Sequence, residues 1–128
     1  MSRVITRRVL AGTVVAACVG VAACHTESRA PAPIVLGDAQ HGRKAIERYG
    51  CGGCHTIPGI RGARGRVGPS LAGLSRRPYL AGSFVNEPAN FIDWVRQPRR
   101  LDPTTIMPNL GVSDADARDI AAFLYRTD

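Results

Sequence analysis

Cys51-Gly52-Gly53-Cys54-His55 is the stretch that constrains this chain most. Two thiols separated by two residues, with an imidazole directly after the second, have the spacing at which both sulfurs can bond covalently to one haem while the histidine ligates its iron. A C-x-x-C pair has two other common uses. As half of a zinc site it needs two further ligands, and the other cysteines, Cys18 and Cys24, lie in a stretch with the character of a leader. A thioredoxin-like redox pair belongs in a strand-helix-strand setting, and no Val/Ile-rich strand run lies nearby. The residues therefore favour haem attachment.

The N-terminal stretch opens with Arg3, Arg7 and Arg8, is apolar from Val9 to Ala23 apart from Thr13 and Cys18, and turns polar at His25-Thr26-Glu27-Ser28. Such a run is short for a membrane-spanning helix and has the length of an export signal. Its end, Val21-Ala22-Ala23-Cys24, resembles a bacterial lipoprotein signal, so residues 1–23 are expected to be a signal peptide and Cys24 the lipidated anchor. Val15-Ala16-Ala17-Cys18 has the same local pattern, but cutting there leaves Val19 to Ala23 as a second apolar stretch at the start. An uncleaved anchor helix would tether the chain equally well. Arg7-Arg8 also has the look of a twin-arginine signal, though Val9-Leu10-Ala11-Gly12 fits that pattern poorly. Residues 24–36, with Arg29-Ala30-Pro31-Ala32-Pro33, are expected to form a semi-rigid tether.

That leaves residues 37–128 for a single domain, a size at which an apolar core alone is marginal. A buried haem would supply the missing core in a chain with three Phe, three Tyr and one Trp. The formal charge of +7 includes the three leader arginines; from Cys24 onward there are 14 basic and 10 acidic residues, a net +4. Arg61, Arg64, Arg66, Arg76 and Arg77 follow the haem motif, whereas Asp114, Asp116 and Asp119 lie near the C-terminus. A basic zone beside a haem edge would steer the domain toward acidic partners; an ordinary solvated basic loop is the equal alternative. No nucleic-acid partner is expected of an exported chain.

Asp38 reads as the N-cap of a first helix that carries Ala45, Ile46 and Tyr49 on one face and stops at Gly50. The Gly- and Pro-dense stretch from Ile57 to Gly73 has no sustained period and reads as an ordered loop around a cofactor. A helical turn is expected within Leu74 to Ala81. A further helix starts near Asn86 with Pro88 in its first turn, carries Phe91, Ile92, Trp94 and Val95, and stops at Pro98. Ser113 and Asp116 approximate a capping box for the last helix, whose stripe is Ala117, Ile120, Ala121 and Leu124.

If His55 is one axial ligand, Met107 is the leading candidate for the second. It is the sole methionine after Met1 and lies between Pro103 and Pro108 in a loop between two helices, a setting suited to holding a weak thioether ligand. A gap-filling core methionine is the bland alternative. His41 and His25 would give a bis-histidine site, but His41 falls in the first helix and His25 beside Cys24.

Gly37-Asp38, Cys51 to His55, Gly68-Pro69-Ser70-Leu71, Pro98 with Pro103 and Met107, and the closing helix together resemble a class I cytochrome c from Gly37 to Asp128. The run from Met107 to Tyr125 is especially similar to small bacterial cytochromes that accompany terminal oxidases. The resemblance implies an all-α cytochrome c fold of three to four helices and long loops wrapped around one covalently bound haem c. It implies that Cys51 and Cys54 form the thioethers, that His55 and Met107 ligate the iron, and that the Pro69 carbonyl accepts a hydrogen bond from His55. Arg77 would pair with a haem propionate, with Arg76 as the alternative because Ser75-Arg76-Arg77 lacks the family's usual glycine. Trp94 would stand beside the haem or simply in the core. Gly42 and Tyr49 with Ile120 and Leu124 resemble the crossing helix pair that closes this fold.

The function so implied is that of a one-electron carrier and not an enzyme, on the periplasmic side of a bacterial membrane. The donor would be a quinol-oxidising complex or a dehydrogenase, and the acceptor a terminal oxidase. Two other classes remain: a tightly bound cytochrome subunit of such a complex, and a haem enzyme or gas sensor with an open distal position.

Overall fold

The computed structural model describes residues 37–127. The signal peptide, Cys18, the anchor at Cys24, His25 and the tether of the sequence reading lie outside these residues. Helix α1, Ala39–Arg48, begins where expected because the Asp38 carboxylate accepts the backbone N–H of Gln40 at 2.7 Å and of His41 at 3.0 Å, satisfying donors that a helix start leaves orphaned. It buries Gly42, Ala45 and Ile46. The helix is left through Tyr49 and then Gly50 at φ 70°, a left-handed exit that glycine adopts without strain. The chain turns at once into a 3₁₀ turn, Cys51–Gly53.

The loop that follows is ordered by folding back on this turn. Gly65 donates its backbone N–H to the Gly52 carbonyl at 3.1 Å, Gly68 to Cys54 at 2.9 Å, and Leu71 to Thr56 at 2.8 Å. The expected helical turn is a 3₁₀ turn at Leu74–Arg76. An antiparallel ribbon follows, β1 (Tyr79–Leu80) and β2 (Phe84–Val85), with Tyr79 opposite Val85 and Leu80 opposite Phe84. This ribbon was not expected, since strands of two residues are too short to show an alternation. It is closed by Ala81 and Gly82, both at positive φ, with the Ser83 N–H on the Leu80 carbonyl at 3.0 Å, a turn whose twist suits paired strands.

Helix α2, Pro88–Arg96, carries its proline at the first turn, where the missing N–H costs nothing. It buries Phe91, Ile92 and Val95. Pro98 does not merely stop the helix: after a break at Gln97 it opens the short helix α3, Pro98–Leu101, since proline cannot continue a helix but is preset to begin one. Helix α4, Asp114–Leu124, is capped by the Ser113 hydroxyl, which accepts the Asp116 N–H at 3.1 Å. The capping box is incomplete, because the Asp116 carboxylate accepts the Ser113 hydroxyl proton at 2.8 Å instead of reaching the backbone. Ala117, Ile120, Ala121 and Leu124 are buried as the stripe predicts, and Ala122, Phe123 and Tyr125 are buried with them. Helix α4 packs against both α1 and α2, so the helical frame is the expected one, with the ribbon added.

Candidate functional site

A cavity of about 590 Å³ opens in the middle of this frame, within the roughly 300–1,000 Å³ range of cofactor and ligand sites. Its walls come from helices α1, α2 and α4 and the loops between them. Ile46 and Tyr49 stand on α1, Leu71 and Leu74 on the central loop, Trp94 and Val95 on α2, Met107 on the following loop, and Ile120 and Leu124 on α4. The lining is predominantly apolar, which a haem face requires and which an empty site for a small polar ligand would not.

Cys51, Cys54 and His55 line one side. The turn that presents them is tied by the His55 N–H on the Cys51 carbonyl at 3.0 Å and the Gly53 N–H on that of Gly50 at 3.0 Å. Both cysteines are half-buried. Burial pushes the Cys51 thiol above its ordinary range. Among the described residues no cluster of three or more His, Cys, Asp or Glu could hold a metal ion, so the zinc alternative finds no further ligands there.

His55 Nδ1 lies 2.7 Å from the Pro69 carbonyl oxygen. A carbonyl only accepts, so Nδ1 carries the proton and the Nε2 lone pair is left for a metal. The ring is also pinned from behind: a β-carbon on Gly68 would sit 2.3 Å from His55 Cε1, so only glycine allows this approach.

Met107 is half-buried on the cavity wall, in a loop that runs from Asp102 to Val112 without regular structure. The Asp102 carboxylate accepts the Thr104 hydroxyl at 2.6 Å and its N–H at 2.9 Å; those two bonds, hydroxyl first, hold the carboxyl below the usual aspartate range. The Met107 N–H in turn meets Thr105 Oγ1 at 3.2 Å. Arg77 also lines the cavity, and its guanidinium donates to the carbonyls of Ser70 and of Ala72, the latter at 2.9 Å. Arg76 is exposed and is not part of the wall. Trp94 is half-buried between the cavity and Phe84, the ring centroids 5.7 Å apart. His41, with 67% of its side chain exposed, lies among Asp38 and Asp119, away from the cavity walls.

Several supporting contacts escaped sequence reasoning. Gly68 backs the histidine; Asn86 ties Leu74 and Arg77 to Tyr125; Asp116 binds Tyr49 and Arg48. A glycine-dense loop hinted at the first. Polar hubs such as the others have no spacing signature.

The cytochrome c family profile matches residues 39–128. Cytochrome c oxidase subunit 2 of Alkalihalophilus pseudofirmus is 31% identical over 87 residues, covering 67% of this chain and 25% of that protein. Cytochrome c-552 of Bradyrhizobium diazoefficiens is 32% identical over 87 residues, covering 68% of this chain and 72% of that protein. The chain therefore spans a quarter of the length of the first relative and most of the second.

Proposed function

This chain belongs to the cytochrome c family, which makes it an electron carrier with one covalent haem c, and we propose that His55 and Met107 are its axial ligands. When bound, the haem supplies a one-electron Fe(II)/Fe(III) couple. Everything else is done by the residues around it. Cys51 and Cys54 hold the group in place through thioethers, so it stays with the chain in either redox state. His55, its Nδ1 proton on Pro69, offers Nε2 in a fixed orientation. Met107, on the cavity wall, would supply a soft thioether as the second ligand, which would favour a higher potential than a second histidine and leave oxygen no site to bind. Trp94, Leu71, Leu74, Val95 and Ile120 exclude water. With His55 and Met107 both on segments tied by hydrogen bonds, the residues around the group would have little to rearrange when an electron is gained or lost.

The observation that carries this reading is the His55–Pro69 hydrogen bond, because it places the proton on Nδ1 and leaves Nε2 as the nitrogen able to ligate. Arg77 supplies positive charge at the cavity wall, where a propionate would need it.

On the leader character of the N-terminal stretch, we further propose export to the periplasmic face of a bacterial membrane with a lipid anchor at Cys24. The chain carries electrons from a quinol-oxidising complex or dehydrogenase to a terminal oxidase, without catalysis of its own. A second reading, a fixed subunit of such a complex, is supported by the relative named as an oxidase subunit; stable copurification with one partner distinguishes it from a free carrier. The experiment for the site is a set of visible spectra of the purified protein, oxidised and reduced, with and without carbon monoxide. A weak far-red band in the ferric state, absent in Met107→Ala, and indifference to carbon monoxide support His55/Met107 ligation. A missing band with ready carbon monoxide binding replaces it with an open site, and with sensing or catalysis.

A further inference from the structure

The Pro69 carbonyl that orients His55 sits in an exposed stretch, Pro69 and Ser70 both facing solvent. The stretch is tied on either side by the Gly68 N–H on the Cys54 carbonyl and the Leu71 N–H on the Thr56 carbonyl, which leaves the carbonyls between them to be held by side chains. The Arg77 guanidinium reaches across and donates to the carbonyls of Ser70 and Ala72. Arg77 is itself held at its backbone: the Asn86 amide nitrogen gives one bond to the Arg77 carbonyl and one to that of Leu74, both 2.7 Å. These carbonyls stand at the two ends of the Leu74–Arg76 turn, so one side chain clamps it. The Asn86 oxygen accepts the hydroxyl of Tyr125, and Tyr125 is buried at the end of α4 with its ring edge-on to Phe91, centroids 5.7 Å apart.

The geometry points to Asn86 as a positioning residue for the iron-ligating histidine, acting through Arg77 and the Pro69 loop and anchored by Tyr125; this rests on the proposed ligation by His55. A well-aligned bond from Nδ1–H to a carbonyl draws the ring toward imidazolate and makes Nε2 a stronger donor, which favours the ferric state. Slackening the clamp lets the Pro69 carbonyl drift, weakens that bond and raises the potential. A residue that only stabilised the turn would lower the melting temperature and leave the imidazole unchanged.

The test uses full-length holoprotein, with ¹⁵N-labelled histidine, and two variants. Asn86→Ala removes both amide donations. Tyr125→Phe keeps the ring packing on Phe91 and removes only the anchor, so it preserves the fold if Asn86→Ala does not. In the reduced protein, exchange of the His55 Nδ1 proton is expected to rise roughly two- to tenfold in Asn86→Ala, the scale of one weakened hydrogen bond. Tyr125→Phe shifts it less and in the same direction, and the midpoint potential rises in both. Unchanged exchange and potential in folded Asn86→Ala, or in Tyr125→Phe should the first give no holoprotein, overturn the proposal. If the wild-type His55 ring signals lack the ring-current shifts of a haem ligand, it is the ligation itself that fails, before any variant is compared.

Discussion

The carbonyl oxygen of Asp119 lies 1.9 Å from the point where a β-carbon on Gly42 would sit. Helix α1 thus meets the backbone of α4 directly at this glycine. Alanine gains about 1 kcal/mol over glycine in helix propensity, but here it would force two helices apart, and overpacking costs roughly 1–3 kcal/mol or more. Because the obstacle is backbone, the strain wins. Gly42→Ala is expected to lose about 2 kcal/mol net and to lower the melting temperature of the holoprotein by roughly 10 °C. A thermal melt followed by circular dichroism checks this; an unchanged transition would mean that the helices do not press on one another at Gly42.

Asp116 joins the same two helices by polar means. Its carboxylate accepts from Tyr49 Oη at 2.8 Å and Ser113 Oγ at 2.8 Å, and from Arg48 Nη2 at 2.7 Å. These bonds, Tyr49 foremost, hold the carboxyl below the usual aspartate range. A depressed folded pKa adds stability that is present above the unfolded value, about 3.9, and is lost as the pH falls through the folded one. Asp116→Asn should therefore melt a few degrees below wild type at pH 7, with the gap narrowing toward pH 3. Melting curves across that range decide it, and a gap of constant size would rule out the charge as its source.

Removing the haem tests how much of the fold depends on it. Without the haem the apolar lining of this cavity loses its contents and faces water, a large loss for a domain whose net stability is only about 5–15 kcal/mol. The double variant Cys51→Ala/Cys54→Ala, produced without covalent haem, is expected to keep helical far-UV signal, lose near-UV signal and show no cooperative calorimetric transition. A sharp transition near that of the holoprotein would show that the protein core suffices alone.

The helices and the C-x-x-C-H turn were legible because their signals are local. Asp38, Ser113 and Pro88 mark starts that need only their own neighbours, and the C-x-x-C-H spacing is contiguous. The crossing of Gly42 over α4 became legible only through the family resemblance. What could not be read depends on contacts between distant positions. Asn86 bonds residues 12 and 9 positions before it and 39 after it; nothing about a single asparagine ahead of a helix encodes that. The β1–β2 ribbon is set by a positive-φ turn at Ala81, a residue with no turn preference. Pro98 was read only as a terminator, because its two opposite effects on a helix look alike in sequence.

Gly68 offers the sharpest separation of packing from ligation. A β-carbon there would lie 2.3 Å from His55 Cε1 and 2.7 Å from Nδ1, so Gly68→Ala must push the ring off the Pro69 carbonyl or displace its own loop. The backbone at Gly68 is tied to the Cys54 carbonyl at 2.9 Å, which leaves the imidazole as the part that yields. Covalent attachment through Cys51 and Cys54 should survive, visible as the mass of chain plus haem. The far-red ferric band should weaken, the potential should shift, and stability should fall by about 1–3 kcal/mol. Gly53→Ala, where an added β-carbon meets no protein atom within 4 Å, is the matched control and should leave spectrum and potential as in wild type. Equal spectra for the two variants would show that the ring is not confined by Gly68, and that its orientation is set by Pro69 alone.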